Sequence, residues 1–487
     1  MSEFLRHVRP MFVCLGFLGC LAGTQAAADF PASRLESLSA PGTAKSTPRT
    51  LAIKGWKTPA GTKVLFIRTT ELPMFDVHVS FPAGSAYDNG PPGLAAATFS
   101  MLNEGVPGKD VSAILETFDG LGAQMNFALD HERSHYTLRS LSDAKQSAPA
   151  LQLFAQILGE PLLSEGALQR MKNDLKDQLK SQEKSPGHLA KQRMHSLMMP
   201  RSPYASPIYG TQAGLQALTR TAVQDFHKQA YSARHAQITL VGDLSVEQAQ
   251  RISLQISNAL PPPSAATARI AEAQRTGTEM SSHIELAQDQ THLLLGQFGV
   301  SREHPDYLAL HTANMIFGGT SNSRLMAELR QKRGLVYGAY SDIEDWAGTG
   351  LMTISLQISP QWHQATHTLI ESMWRDYSRD GPTQQELDQY KRYLTNTSAL
   401  TSASNKQILA RLVEINRHNL PLDLDFSAQQ AQRLTLADIK AALNNHLAAD
   451  KWRVVTVGKT VEQRPLPEPI DTPDQSMCRA DAGFVAS

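Results

Sequence analysis

Cysteine is almost missing from this chain, with three in 487 residues. Cys14 and Cys20 lie in an apolar N-terminal run and Cys478 lies near the end of a Pro-rich tail. A mature chain keeping only Cys478 has no internal disulfide, so its stability must come from apolar cores. Net charge is missing too: 46 Lys and Arg balance 46 Asp and Glu, and the pI is near 7.3. That leaves no basic footprint for nucleic acid or an anionic membrane surface. Beyond the N-terminus no apolar run approaches the roughly 20 residues of a membrane-spanning helix, so no transmembrane segment is expected.

What is present is an ordinary globular mixture, 41% hydrophobic and 19% charged, in a chain too long for a single core. Arg6 and Arg9 precede an apolar run from Met11 to Ala22, and Ala26-Ala27-Ala28 offers a small-residue cleavage site before Asp29. Residues 1–28 therefore read as a secretory signal and the product as exported, to the periplasm. A competing reading makes Leu18-Gly19-Cys20 a lipoprotein box, with Cys20 lipidated.

The chain is written twice. "LTRTAVQDFHKQAYSARHAQITLVGDL" from Leu218 and "LTLADIKAALNNHLAADKWRVVTVGKT" from Leu434 share Leu-Thr and Val-Gly at one offset of 216 residues. Each predicts a Thr-capped amphipathic helix, a polar turn, and a β-rich strand closed by glycine. Near the start of each half, "VHVSFPAGS" and "THLLLGQFG" predict strands, followed by helices from Gly93 and over "YLALHTANMIF". Asp110 caps a helix that Gly122 ends, and Thr383 to Glu386 form a capping box. The class is α+β, with two homologous domains at 45–260 and 278–463. Each is a mixed or antiparallel sheet packed with helices, joined by a Pro- and Ala-rich linker at 261–277 and followed by a tail at 464–487.

One local pattern raises metal chemistry. His131-Glu132-Arg133-Ser134-His135 fits His-Glu-x-x-His, a helical zinc signature. Zinc needs both nitrogens about 2 Å from one ion, which positions i and i+4 of a helix allow. On a strand those positions stand about 13 Å apart. Met125, Phe127 and Leu129, then Tyr136 and Leu138, alternate with polar or small residues. That predicts a hairpin bend around residues 130–134, or one long strand, and not a zinc helix. The pairs His363/His367 and His188/His195 make no metal constellation either.

Five ordered stretches carry a resemblance: "FPAGSAYDNGPPGLAAATFSMLNEG", "LGAQMNFALDHERSHY", "SPYASPIYGT", "FHKQAYSARHAQITLVGDL" and "SNSRLMAELRQKRGLVYGAYS". From about Gly61 to Gly458 the chain resembles the pitrilysin/insulinase family of zinc metallopeptidases, which includes mitochondrial processing peptidase and bacterial two-subunit relatives. The resemblance implies a clam-like subunit of two similar domains. In active members an inverted motif, His-x-x-Glu-His, follows Gly-Leu-Ala, with a downstream acidic ligand. Here Ala96 and Ser100 stand at the histidine positions and Phe99 at the general-base position, while Asp177 or Gln178 is what the third-ligand region offers. Neither alanine nor phenylalanine has a lone pair to give a metal, and no carboxylate remains to take a proton from bound water.

Arg330 and Tyr337 match an Arg/Tyr pair by which non-catalytic subunits of the family reach the partner's zinc site. A guanidinium and a phenol suit a carbonyl oxygen that becomes an oxyanion. The resemblance thus implies no zinc in this chain, zinc in a catalytic partner subunit, and a peptide as substrate. It also predicts that Arg330 ends a helix begun at Ser323 and that Tyr337 opens the next strand. One alternative is a non-enzymatic peptide-binding or assembly scaffold. Another is a self-sufficient zinc peptidase using His131, Glu132 and His135.

Overall fold

The computed structural model describes residues 51–262, 270, 280–346, 348–398 and 400–469. The expected signal segment with Cys14 and Cys20, most of the expected linker, and the end of the tail with Cys478 lie outside them.

In the first half come strands β1 (Ile53–Lys57), β2 (Lys63–Arg68) and β3 (Met74–Phe81), then helix α1 (Leu94–Met101). Next are the hairpin strands β4 (Gln124–Leu129) and β5 (Ser134–Leu141), helices α2 (Pro186–Met198) and α3 (Arg220–Ala230), and strand β6 (Gln237–Gly242). The sheet runs β1-β2-β6-β3-β5-β4, antiparallel except where β2 meets β6. The second half holds β7 (Ser281–Glu285), β8 (Thr291–Gly299), α4 (Tyr307–Asn314), β9 (Ala339–Trp346), β10 (Thr349–Ile358), α5 (Asn405–His418), α6 (Leu436–His446) and β11 (Arg453–Gly458). Its sheet runs β7-β11-β8-β10-β9, again with a single parallel pair, β7 with β11. This is the first sheet's order without its outermost strand.

Two elements repeat with the same bounds. Arg220 and Leu436 open α3 and α6, and Gly242 and Gly458 close β6 and β11, all at the 216-residue offset. Thr219 caps α3 by accepting from the Ala222 N–H, and Thr435 caps α6 in a capping box with Asp438.

The halves exchange helices. Helix α2 belongs to the first half, yet its Ala190, Met194, Leu197 and Met198 pack on Leu294, Val455 and Val457 of the second sheet. Helix α5 belongs to the second half and lays Ile408, Leu409, Leu412 and Ile415 on Leu65, Ile67 and Val241 of the first. Each such buried aliphatic side chain contributes roughly 1.5–3 kcal/mol. The two cores therefore depend on each other, and the segments that connect the sheets are held against both.

Candidate functional site

Helix α1 is where the resemblance locates a zinc site. Gly93 enters it with φ +106, and the Asp88 carboxylate caps it by accepting from Gly93 N–H at 2.7 Å and Ala95 N–H at 2.6 Å. Burial raises Asp88 to about 6, against the pull of those two bonds. Ala96 is fully buried and Ser100 half-buried. Phe99 is turned into the core, with ring centroids 5.5 Å from both Phe127 and Tyr136. Asp177 is exposed and paired with Lys180 at 3.0 Å. The position of a general base is thus filled by an aromatic packing contact.

Residues 130–133 form the hairpin turn between β4 and β5 that the alternation implies. The loop after β3 clamps this turn: Gly84 N–H donates to Glu132 O at 3.1 Å and Ala86 N–H to His131 O at 2.6 Å. A Cβ at Gly84 would sit 2.4 Å from the His131 carbonyl carbon, so the close approach requires glycine. The motif's polar atoms point to different partners. His131 Nε2 lies 3.3 Å from Ser206 O, and His135 Nε2 lies 3.2 Å from Asp130 Oδ2. Glu132 accepts from Tyr204 Oη at 2.6 Å and from Arg417 at 2.8 Å. Among the described residues these three side chains do not converge on a common point.

What the turn does instead is join the halves. Arg417 comes from α5, and Trp346, from β9, stacks on Tyr204 at 4.8 Å and meets His195 edge-on at 4.7 Å. Glu344 of β9 takes Lys191 of α2 at 2.7 Å. A polar cavity of about 220 Å3 opens between Glu132, Arg133, Asp345 and Arg417. Replacing Arg417 with Met removes its ion pair with Glu132 and keeps the Tyr204 hydrogen bond. We expect a loss of about 1–3 kcal/mol, read as a lower urea midpoint at unchanged m. An unchanged midpoint would show that the ion pair does not hold the junction.

The same junction carries a pH dependence. Burial, then the charges of His135 and Arg133, lower His78 to about 3, and burial, then His195, lowers His131 to about 4. The unfolded chain takes up both protons near pH 6.5, so this stability is complete above pH 6.5 and is lost as the pH falls toward 4. Asp88 and Asp345, raised by burial to about 6, work in the opposite sense but through smaller shifts. The urea midpoint should therefore be lower at pH 4.5 than at pH 7, with a smaller difference in His131→Gln. A midpoint that rises on acidification would contradict this balance.

Arg330 and Tyr337 are exposed, Tyr337 at 88%, and among the described residues neither side chain has a hydrogen-bonding or ionic partner. Their setting differs in detail from the expectation. Arg330 does not end its helix but lies within a widened π-helical turn, Met326–Lys332, from which the chain leaves as Leu335 N–H donates to Leu329 O at 2.8 Å. Gly334, with φ +62, reverses the chain. Tyr337 precedes β9 and does not open it, because ladder pairing begins at Ala339. The Met326–Lys332 turn packs against β9, an edge strand of the second sheet, and Tyr337 lies two residues before that strand begins.

Residues 63–212 match the insulinase family, peptidase family M16, and residues 217–394 match the peptidase M16 inactive domain. The crystal structure of a peptidase M16 inactive domain from Pseudomonas fluorescens aligns at a TM-score of 0.80 and 40% identity, covering 86% of this chain and 100% of that one. The chain belongs to peptidase family M16. A non-peptidase homologue from Helicobacter pylori, YmxG, is 24% identical over 394 residues, 79% of this M16 chain and 88% of the relative. A protease from the same organism shares the fold at a TM-score of 0.75 and 16% identity, over 84% and 99% of the two chains. Mixed helices and sheets in two M16-like halves agree with the α+β expectation, and among the described residues no helix of this M16 chain is long and apolar enough to cross a membrane.

Sequence reasoning passed over several groups. Arg417 and Tyr204 lie far from Glu132 in sequence and bond to it in the folded chain, Arg417 from α5 as it crosses to the first sheet, while Trp346 reaches Tyr204 from β9. His367 has an acidic neighbour at helical spacing, Glu371 at 3.3 Å, that the sequence already contained. The trio His304, Asp306 and His446 comes from two segments with no local motif between them.

Proposed function

We propose that this M16 chain is the non-catalytic subunit of an exported, heterodimeric zinc metallopeptidase. It holds a peptide and presents Arg330 and Tyr337 to the zinc site of a catalytic partner. The observation that carries this reading is the contrast between two places in the fold. Helix α1 has turned Ala96 and Phe99 into core packing and carries a neutral serine at Ser100, while Arg330 and Tyr337 stand free in solvent with every donor available. A guanidinium with no internal partner is suited to an external carbonyl or carboxylate. The relatives described as inactive or non-peptidase support the same division of labour.

Strand β4 supports the peptide-binding part. It is one edge of the first sheet, paired among the described residues with β5 alone, and Phe127 on it is 53% exposed. An unpaired edge offers backbone donors and acceptors to an extended peptide. The test is to express the tagged chain in its own host and recover what binds it. The reading requires a second M16 protein with an intact His-x-x-Glu-His helix, in equal proportion, and peptide cleavage by the pair. A complex that holds no zinc peptidase would favour the non-enzymatic scaffold.

A further inference from the structure

Helix α4 starts beside the end of α6, and three metal-ligating side chains meet there. His304 comes from the loop after β8, Asp306 immediately precedes α4, and His446 is the last residue of α6. One ligand atom from each lies within 4.8 Å of the other two, and all three residues are half-buried. His446 Nε2 is 2.7 Å from Asp306 Oδ2. The rings of His304 and His446 stand 4.7 Å apart at 75°. Asp306 occupies an N-cap position, yet its side chain caps nothing and faces His446 instead.

We propose that His304, Asp306 and His446 bind one divalent transition-metal cation, of which zinc is the representative, and that the ion fastens the start of α4 to the end of α6. Two imidazoles and one carboxylate are a borderline donor set that favours zinc-like ions over magnesium or calcium, which take all-oxygen shells. Ligand atoms at about 2.0–2.2 Å from a tetrahedral ion lie about 3.3 Å from one another. The His446–Asp306 pair needs to open by about half an ångström to reach that spacing, and His304 needs to swing in from its loop. The ion takes the place of the proton now shared between Nε2 and Oδ2. Ligation costs one contact, because His304 Nδ1 presently accepts from the Asp306 N–H at 3.1 Å. Among the described residues no fourth metal-ligating side chain joins the trio, so water completes the shell. The site lies outside α1 and outside the His131–His135 turn, and it does not depend on either.

The simpler alternative is an Asp306–His446 ion pair with no metal, and the experiment separates the two. The full chain is stripped with chelator, then dialysed against micromolar ZnCl2 in millimolar MgCl2, and bound zinc and melting temperature are measured. One zinc per chain and a zinc-dependent rise in melting temperature are expected. His304→Gln, which keeps the Asp306–His446 pair, should weaken zinc binding by more than the ~10–100-fold typical of losing an outer-shell partner. Asp306→Asn should do the same, and His131→Ala should leave binding unchanged. No retained zinc, or retention that survives His304→Gln and Asp306→Asn, overturns the proposal. So does zinc lost in His131→Ala.

Discussion

Arg330→Ala is expected to lower turnover by the assembled peptidase about 10²–10³-fold, or ~2.7–4 kcal/mol, the usual effect of removing one preorganised donor from a developing oxyanion. The size of the effect rests on where the side chain stands. Arg330 is exposed and, among the described residues, its guanidinium has no hydrogen-bond or ion-pair partner, so truncation breaks no polar contact that holds the chain together. Melting temperature and complex formation should stay as they were. The fall should appear in kcat as much as in kcat/KM, because the contact strengthens as charge develops on the substrate oxygen. Tyr337→Phe removes a single hydroxyl from another exposed position and should act in the same direction. If both variants turn over like the parent complex, the pair has no part in the chemistry. If turnover falls only because the subunits separate, the role is in assembly instead.

Phe99→Glu places a carboxylate where the family resemblance implies a general base in active members, and it should destabilise the chain by about 3–5 kcal/mol. Phe99 is 7% exposed and packs on Phe127 and Tyr136, and Tyr136 Oη lies 3.2 Å from Tyr231 Oη in a fully buried cluster. A carboxylate introduced there loses the ring contacts and is desolvated among the aromatic rings of Phe127 and Tyr136. Burial favours its neutral form, so the deficit relative to the parent chain should shrink as the pH falls. Urea unfolding of the two chains at pH 7 and pH 5 measures this directly. A variant as stable as its parent at pH 7 would show that α1 still keeps a cavity able to accept a charged group.

The parts of the fold legible in the sequence were those written in short-range patterns. The matched Leu-Thr and Val-Gly pairs at one offset become helices and strands with identical boundaries in the two halves. Alternation through Met125, Phe127 and Leu129 separates a hairpin from a zinc helix, because period two and period 3.6 put His131 and His135 in incompatible places. What stayed hidden depends on contacts made across the chain. Nothing in the apolar stripe of α2 or α5 says which sheet it covers, so the exchange of helices, and with it the Glu132–Arg417 bridge, has no local signature. The widened turn at Met326–Lys332 escaped for a related reason. A π-helical turn is set by how Leu329 and Leu335 pack against the sheet, whereas propensity alone predicts an ordinary α-helix there. His304 and His446 lie 142 positions apart and meet only because α4 and α6 are neighbours in the second half.

The most direct test of the proposed division of labour is peptide hydrolysis with zinc supplied, measured for the purified chain alone, for the proposed catalytic M16 partner alone, and for the two recombined. The account predicts no turnover by the chain alone at any zinc concentration, and turnover by the recombined pair well above that of the partner. Hydrolysis by the chain alone, abolished in His131→Ala, would contradict it and return the zinc chemistry to the His131–His135 turn.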